Sequence, residues 1–119
     1  MSLPAGRSRR LFAATLPADL TSLDATDLSA AIYQKHASCA EVMQAYLDRI
    51  HNYNPVYNAI VGMVDDDDLL SQAQEADQAL ARGEYRGWMH GMPHAAKDLT
   101  PVAGLRFTSG SPLYADRIA

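Results

Sequence analysis

The tetrapeptide Ser38-Cys39-Ala40-Glu41 fixes where one helix must begin. A serine at the N-cap offers its oxygen to an orphan backbone N–H, and a glutamate three residues on reaches back to the serine's own N–H. Behind it, Val42, Met43, Tyr46, Leu47, Ile50 and Tyr53 recur at helical spacing, and Asn54-Pro55 predicts the end. On either side the pattern is also helical. Asp24 and Asp27 read as an N-cap and charged first turn, and Leu28, Ala31, Ile32 and Lys35 then predict a helix from about Ala25 to Lys35. Asp65 to Asp68 opens a third helix with Leu69, Ala73, Ala76 and Leu80 on one face. It closes on Arg82-Gly83, a basic last turn followed by glycine.

Between these lie two segments that read as strands. Ile60, Val61, Met63 and Val64 favour a buried strand over Asn58–Val64, with Gly62 inside it, and a second strand is expected over about His94–Lys97. With the third helix between them they form a βαβ unit, right-handed by default if the strands pair in parallel. The fold class is therefore α/β. A two-stranded sheet leaves two open edges, and the tail from Leu99 to Ala119 shows no periodic element although Leu105, Phe107, Leu113, Tyr114 and Ile118 are apolar. The expected organisation is a flexible arm over 1–20, then the N-terminal part of a larger α/β domain over 21–119.

Composition excludes several function classes. A net charge of −4 gives no electrostatic reason for nucleic acid or an anionic membrane as a partner. Apolar runs fall short of the roughly 18 residues that a membrane helix needs. The single cysteine, Cys39, excludes an intrachain disulfide and fits a reducing, cytoplasmic setting. Ser8-Arg9-Arg10-Leu11-Phe12 looks like a twin-arginine export motif, but the apolar run after it is brief and Pro17 and Asp19 break it, which favours a basic arm.

The strongest chemical candidate is Lys97. It follows the Gly91-Met92-Pro93 turn at the end of the second expected strand, and a lysine at such a strand end can serve as a base once burial disfavours its charged form. Ala95, Ala96 and Val102 are the residues expected to bury it; the plainer reading is a solvated lysine. Asp98, next along the strand, points to the opposite face as a hydrogen-bond acceptor. No metal or cofactor is expected. His90 and His94 flank Gly91 and Pro93 and share no helical face, and Asp65–Asp68 lacks the glycine and distal glutamate of a calcium loop. Cys39, without a histidine partner, reads as a small buried apolar residue.

Taken in order, these segments resemble one family. Gly91-x-Pro93-x-x-x-Lys97-Asp98, then Gly104-Leu105 and Thr108-x-Gly110-Ser111-Pro112, is similar to the lysine segment of the amidase signature family. Ser38-Cys39-x-Glu41, Tyr46-Leu47-x-Arg49-Ile50, Asn54-Pro55 and Asn58-Ala59 resemble its N-terminal helix and following strand, and Ala73 to Gly83 its next helix. The resemblance implies an α/β/α mixed-sheet fold and hydrolysis of a small-molecule carboxylic amide by a serine–cis-serine–lysine triad. The lysine falls on Lys97, which would relay a proton through the cis serine to the nucleophilic serine. Backbone N–H groups of a serine-rich loop would form the oxyanion hole. That Gly-Ser-Ser-Gly-Gly loop does not occur before Ala119, so Lys97 alone is carried over and the chain by itself is expected to be inactive. Activity then requires a C-terminal portion. Two other readings stand beside this one. The chain could be a non-catalytic interaction module that forms a homo-oligomer through the exposed sheet edge and apolar tail, or Lys97 could be a Schiff-base lysine.

Overall fold

The computed structural model describes residues 15–119; the twin-arginine motif and most of the expected arm lie outside the described residues. Three α-helices carry the described fold: α1 (Ala25–Tyr33), α2 (Cys39–Tyr57) and α3 (Asp66–Ala81), with 3-10 turns at Leu20–Ser22 and Pro112–Tyr114. Asp24 caps α1 by accepting from the Asp27 N–H. The helix stops at Tyr33, slightly before the expected Lys35. Lys35 itself turns left-handed (φ 59°), and the N–H groups of His36 and Ala37 fold back onto the Ala31 carbonyl.

Both halves of the Ser38–Glu41 capping box are present. The remaining orphan donors of the first turn are taken from across the molecule. Asp77 on α3 accepts from the Cys39 N–H at 2.7 Å and the Ala40 N–H at 3.1 Å. A carboxylate at a helix N-terminus also meets the positive end of its dipole, so this one side chain joins α3 to α2.

The expected end of α2 at Asn54-Pro55 is overturned: the helix runs on to Tyr57 with Pro55 inside it. A proline deletes one helical hydrogen bond. Here the loss falls in the last turn, on the carbonyl of the exposed His51, where water can replace the missing donor. Asn58 then closes the helix in the left-handed conformation (φ 48°), its N–H reaching the Asn54 carbonyl.

The core forms where the three apolar faces meet. Leu28, Ala31 and Ile32 of α1, Cys39 and Val42 of α2, and Ala73, Ala76 and Leu80 of α3 are buried together with Ala37. Alanines on α3 let its backbone approach α2 closely, which brings the short side chain of Asp77 within reach of the α2 N-terminus.

No strand forms among the described residues, so the expected βαβ unit is absent here; a single antiparallel bridge joins Arg106 and Ile118. Around Asn58–Val64 the reason is visible. The Asn54 carboxamide donates to the Ile60 carbonyl and accepts from the Ile60 N–H, both at 2.9 Å, and Arg106 donates to the Val61 carbonyl. Side chains therefore hold backbone groups that a neighbouring strand would use. His94–Lys97 has no regular secondary structure and is solvent-exposed, without a ladder partner among the described residues.

Candidate functional site

The segment that carries Lys97 is anchored at its start by the helical core. His90 is buried (4% exposed), its Nε2 lying 2.8 Å from the Ala76 carbonyl and its Nδ1 3.1 Å from the Arg86 N–H. A carbonyl can only accept and a backbone N–H can only donate, which selects the tautomer protonated at Nε2. Gly91 follows in the left-handed region (φ 69°), its backbone against the N-terminus of α2. A Cβ there would lie 2.1 Å from the Cys39 Sγ, so glycine is required by both space and conformation. Upstream, Ser29 of α1 donates to the Trp88 carbonyl at 2.5 Å, and the Tyr33 and Tyr85 rings meet with centroids 4.7 Å apart.

From this anchor the chain runs outward through Pro93 to Lys97. Lys97 is exposed, as are Ala95, Ala96 and Val102, so the expected desolvating pocket is not formed by these residues. They lie on an irregular segment beside a turn, and among the described residues no helix or sheet layer covers them. The Lys97 carbonyl accepts from the Thr100 N–H at 2.7 Å, turning the chain directly after the lysine.

Asp98 is the organising group beyond it. Its carboxylate accepts from the Thr108 N–H at 2.8 Å, from the Thr108 hydroxyl, and from the Gly110 N–H at 3.2 Å, while its carbonyl accepts from the Ser109 N–H. These donors, led by the Thr108 hydroxyl, hold the Asp98 carboxyl below the usual aspartate range, and the Arg106 charge adds to them. The expected acceptor role of Asp98 is thus observed, on partners about ten residues downstream. Arg117 braces the far side of the same loop. Its guanidinium lies between the Phe107 and Tyr114 rings at 4.0 and 4.2 Å, and it donates to the Phe107 carbonyl and the Ser109 hydroxyl. Backbone bonds from Phe107 to Arg117 and from Ala119 to Leu105 close the tail onto this loop.

The structure therefore brings Lys97, Asp98 and Thr108–Gly110 into one cluster, and leaves His94 exposed away from His90, which faces the core. A shallow groove of about 370 Å³ lies elsewhere, lined by Leu16, Leu20, His36, Glu41, Gln44 and Asp48 among others, and none of residues 90–119 lines it. Cys39 is fully buried and free. Burial first, then its hydrogen bond to Asp77 and that residue's charge, push its thiol up to about 12, which suits a packing residue and disables a nucleophile.

Residues 41–119 match the family model described as Amidase, which is well over half of the chain. The chain belongs to the amidase family. It is 37% identical over 97 residues to an acylamidase of Rhodococcus erythropolis, a match covering 82% of this chain and 20% of that protein. It is also 37% identical over 98 residues to a glutamyl-tRNA(Gln) amidotransferase subunit of Salinispora tropica (82% and 20%), and 43% identical over 91 residues to its counterpart in Burkholderia thailandensis (76% and 18%). The chain thus spans about a fifth of the length of these curated relatives. Among the described residues no helix is long and apolar enough to cross a membrane. Two organising side chains of this amidase-family chain, Asp77 and Arg117, carried no signal in the sequence. Each acts on partners distant along the chain, and neither sits in a recognisable local motif.

Proposed function

We propose that this chain contributes the lysine of an amide hydrolase, with Lys97 as the base of a serine–cis-serine–lysine triad whose two serines lie outside residues 1–119. The observation that carries the reading is the Gly91-x-Pro93-x-x-x-Lys97-Asp98 segment, anchored at Gly91 on the helical core and closed at Asp98 by Thr108 and Gly110. Such an arrangement holds one amine at the mouth of a braced loop. A general base needs a neutral amine, and cover by polypeptide outside residues 1–119 would favour that form. Once covered, neutral Lys97 takes a proton from the cis serine, which takes one from the nucleophilic serine as that oxygen attacks the amide carbonyl. In the complete domain segments 58–64 and 94–97 would have to rearrange to become strands of a mixed α/β/α sheet, of which residues 21–119 form one part. The substrate is a small-molecule amide, no cofactor takes part, and the buried free thiol of Cys39 favours a reducing cytoplasm.

The test is a graft. This chain replaces the matched segment of the Rhodococcus erythropolis acylamidase, and amide hydrolysis is measured for the graft, for its Lys97→Ala variant and for the 119-residue chain alone. The expected result is activity in the graft, a loss of at least about 10³-fold on Lys97→Ala, and none from the chain alone. An active Lys97→Ala graft would remove Lys97 from the mechanism.

A further inference from the structure

We propose that Asp98 is a positioning residue for Lys97, its carboxylate locking the peptide that carries the amine onto the Thr108–Gly110 loop; this rests on the reading of Lys97 as the base. The geometry is asymmetric in a telling way. Asp98 collects three donors on one carboxylate: the Thr108 N–H, the Thr108 hydroxyl and the Gly110 N–H. At the same time both carbonyls flanking the Lys97–Asp98 junction are bonded, that of Lys97 by the Thr100 N–H and that of Asp98 by the Ser109 N–H. The Lys97 backbone therefore has little freedom to rotate, even though its side chain stands in solvent. Arg117 fixes the opposite wall through the Phe107 carbonyl and the Ser109 hydroxyl, so the loop that receives Asp98 is itself held.

Two features separate positioning from general stability. None of residues 97–110 belongs to the buried core, which is built from α1, α2, α3 and Ala37. Breaking the Asp98 bonds should thus loosen the lysine segment and leave the helices intact. The donor set also demands an anion. An ionised carboxylate only accepts, and it can take several donors at once. Asparagine offers one acceptor oxygen and turns N–H groups toward the others, so Asp98→Asn is nearly isosteric yet electronically wrong. A displacement of about 1 Å in a reacting group costs on the order of 10²-fold in rate.

The experiment has two arms. In the chain itself, amide exchange is followed by NMR for wild type, Asp98→Asn, Thr108→Val and Thr108→Ser. Asp98→Asn and Thr108→Val should speed exchange at Thr108 and Gly110 by tenfold or more and leave the α1–α3 amides unchanged, whereas Thr108→Ser, which keeps the hydroxyl, should behave as wild type. In the acylamidase graft, Asp98→Asn should lower kcat by about 10²-fold with KM unchanged. Unchanged exchange at Thr108 and Gly110 in Asp98→Asn overturns the proposal. So does a wild-type kcat, or a fall in kcat accompanied by loss of protection in the helices. The Lys97→Ala graft separates the two claims: if it is active the base assignment fails, and if it is dead while Asp98→Asn is fully active, positioning alone fails.

Discussion

Asp77 should be worth more to this fold than any other polar side chain, and the structure sets the size of the effect. Its carboxylate receives the N–H groups of Cys39 and Ala40 at 2.7 and 3.1 Å, and Cys39 is fully buried. Hydrogen bonds to a charged acceptor contribute roughly 1.5–3 kcal/mol each, and a buried donor left unpaired costs about 1–3 kcal/mol. Half-burial of Asp77 and non-additivity argue for the low end of the sum, so Asp77→Ala should destabilise by about 3 kcal/mol. For a domain of this size that corresponds to a fall in Tm of roughly 12 °C or more. Asp77→Asn keeps one acceptor oxygen and should cost about half as much. Urea unfolding at neutral pH followed by far-UV circular dichroism measures both. Cys39 supplies a second readout. Burial is the main cause of its high pKa and Asp77 the next, so removing Asp77 should lower the pKa only in part, while more frequent opening exposes the thiol. Labelling by a disulfide reagent at pH 8 should be slow in the wild type, faster in Asp77→Ala, and equal for both in denaturant. A loss below about 1 kcal/mol, the scale of an exposed ion pair, would refute the claim that this carboxylate ties α3 to α2.

Two further predictions follow from the lysine segment's supports. Gly91→Ala places a Cβ 2.1 Å from the Cys39 Sγ at a left-handed backbone, and should cost about 2–4 kcal/mol from overpacking and conformation together. Adding Cys39→Ala should recover about 1 kcal/mol, because the sulfur contact goes but the 2.9 Å contact to Cys39 Cβ and the strained φ remain; a strictly additive double mutant would exclude the clash. The Asp98 carboxyl lies below its ordinary value when folded, so its contribution to loop order is present above the unfolded value and fades as pH falls through the folded one. Exchange protection at Thr108 and Gly110 should therefore persist at about pH 4 and be lost at more acid pH, and loss already near pH 6 would contradict the observed bonding.

Local chemistry was legible in the sequence and distant chemistry was not. The Ser38–Glu41 box and the Asp24 cap are written within one helical turn, and both occur as expected. Gly83 ends the third helix for an equally local reason, a left-handed φ of 82°. Pro55 misled because its cost depends on where it falls: one bond lost in a solvated last turn does not stop a helix. Ile60, Val61 and Val64 have the branching of a strand, but branching states only what a pleated surface accepts, and the neighbouring backbone must come from elsewhere in space. Lys97 shows the same boundary. The loop that follows it was readable, whereas the strand expected to end on it does not form among the described residues, and an environment that would dry it would depend on polypeptide brought in from a distance. Asp77 acts on residues 38 and 37 positions away, a separation at which a single sequence carries no periodicity to detect.

Both hydrogen bonds of the His90 ring go to main-chain groups, the Ala76 carbonyl on one side and the Arg86 amide on the other. Every amino acid at position 76 brings that carbonyl, and all but proline at 86 bring that amide. As far as these two hydrogen bonds go, the joint between helix and loop places its demand for identity on a single imidazole. Drift at position 86 can proceed almost freely while position 90 stays fixed, so the surface at position 86 can be rewritten without moving the point from which the lysine segment departs.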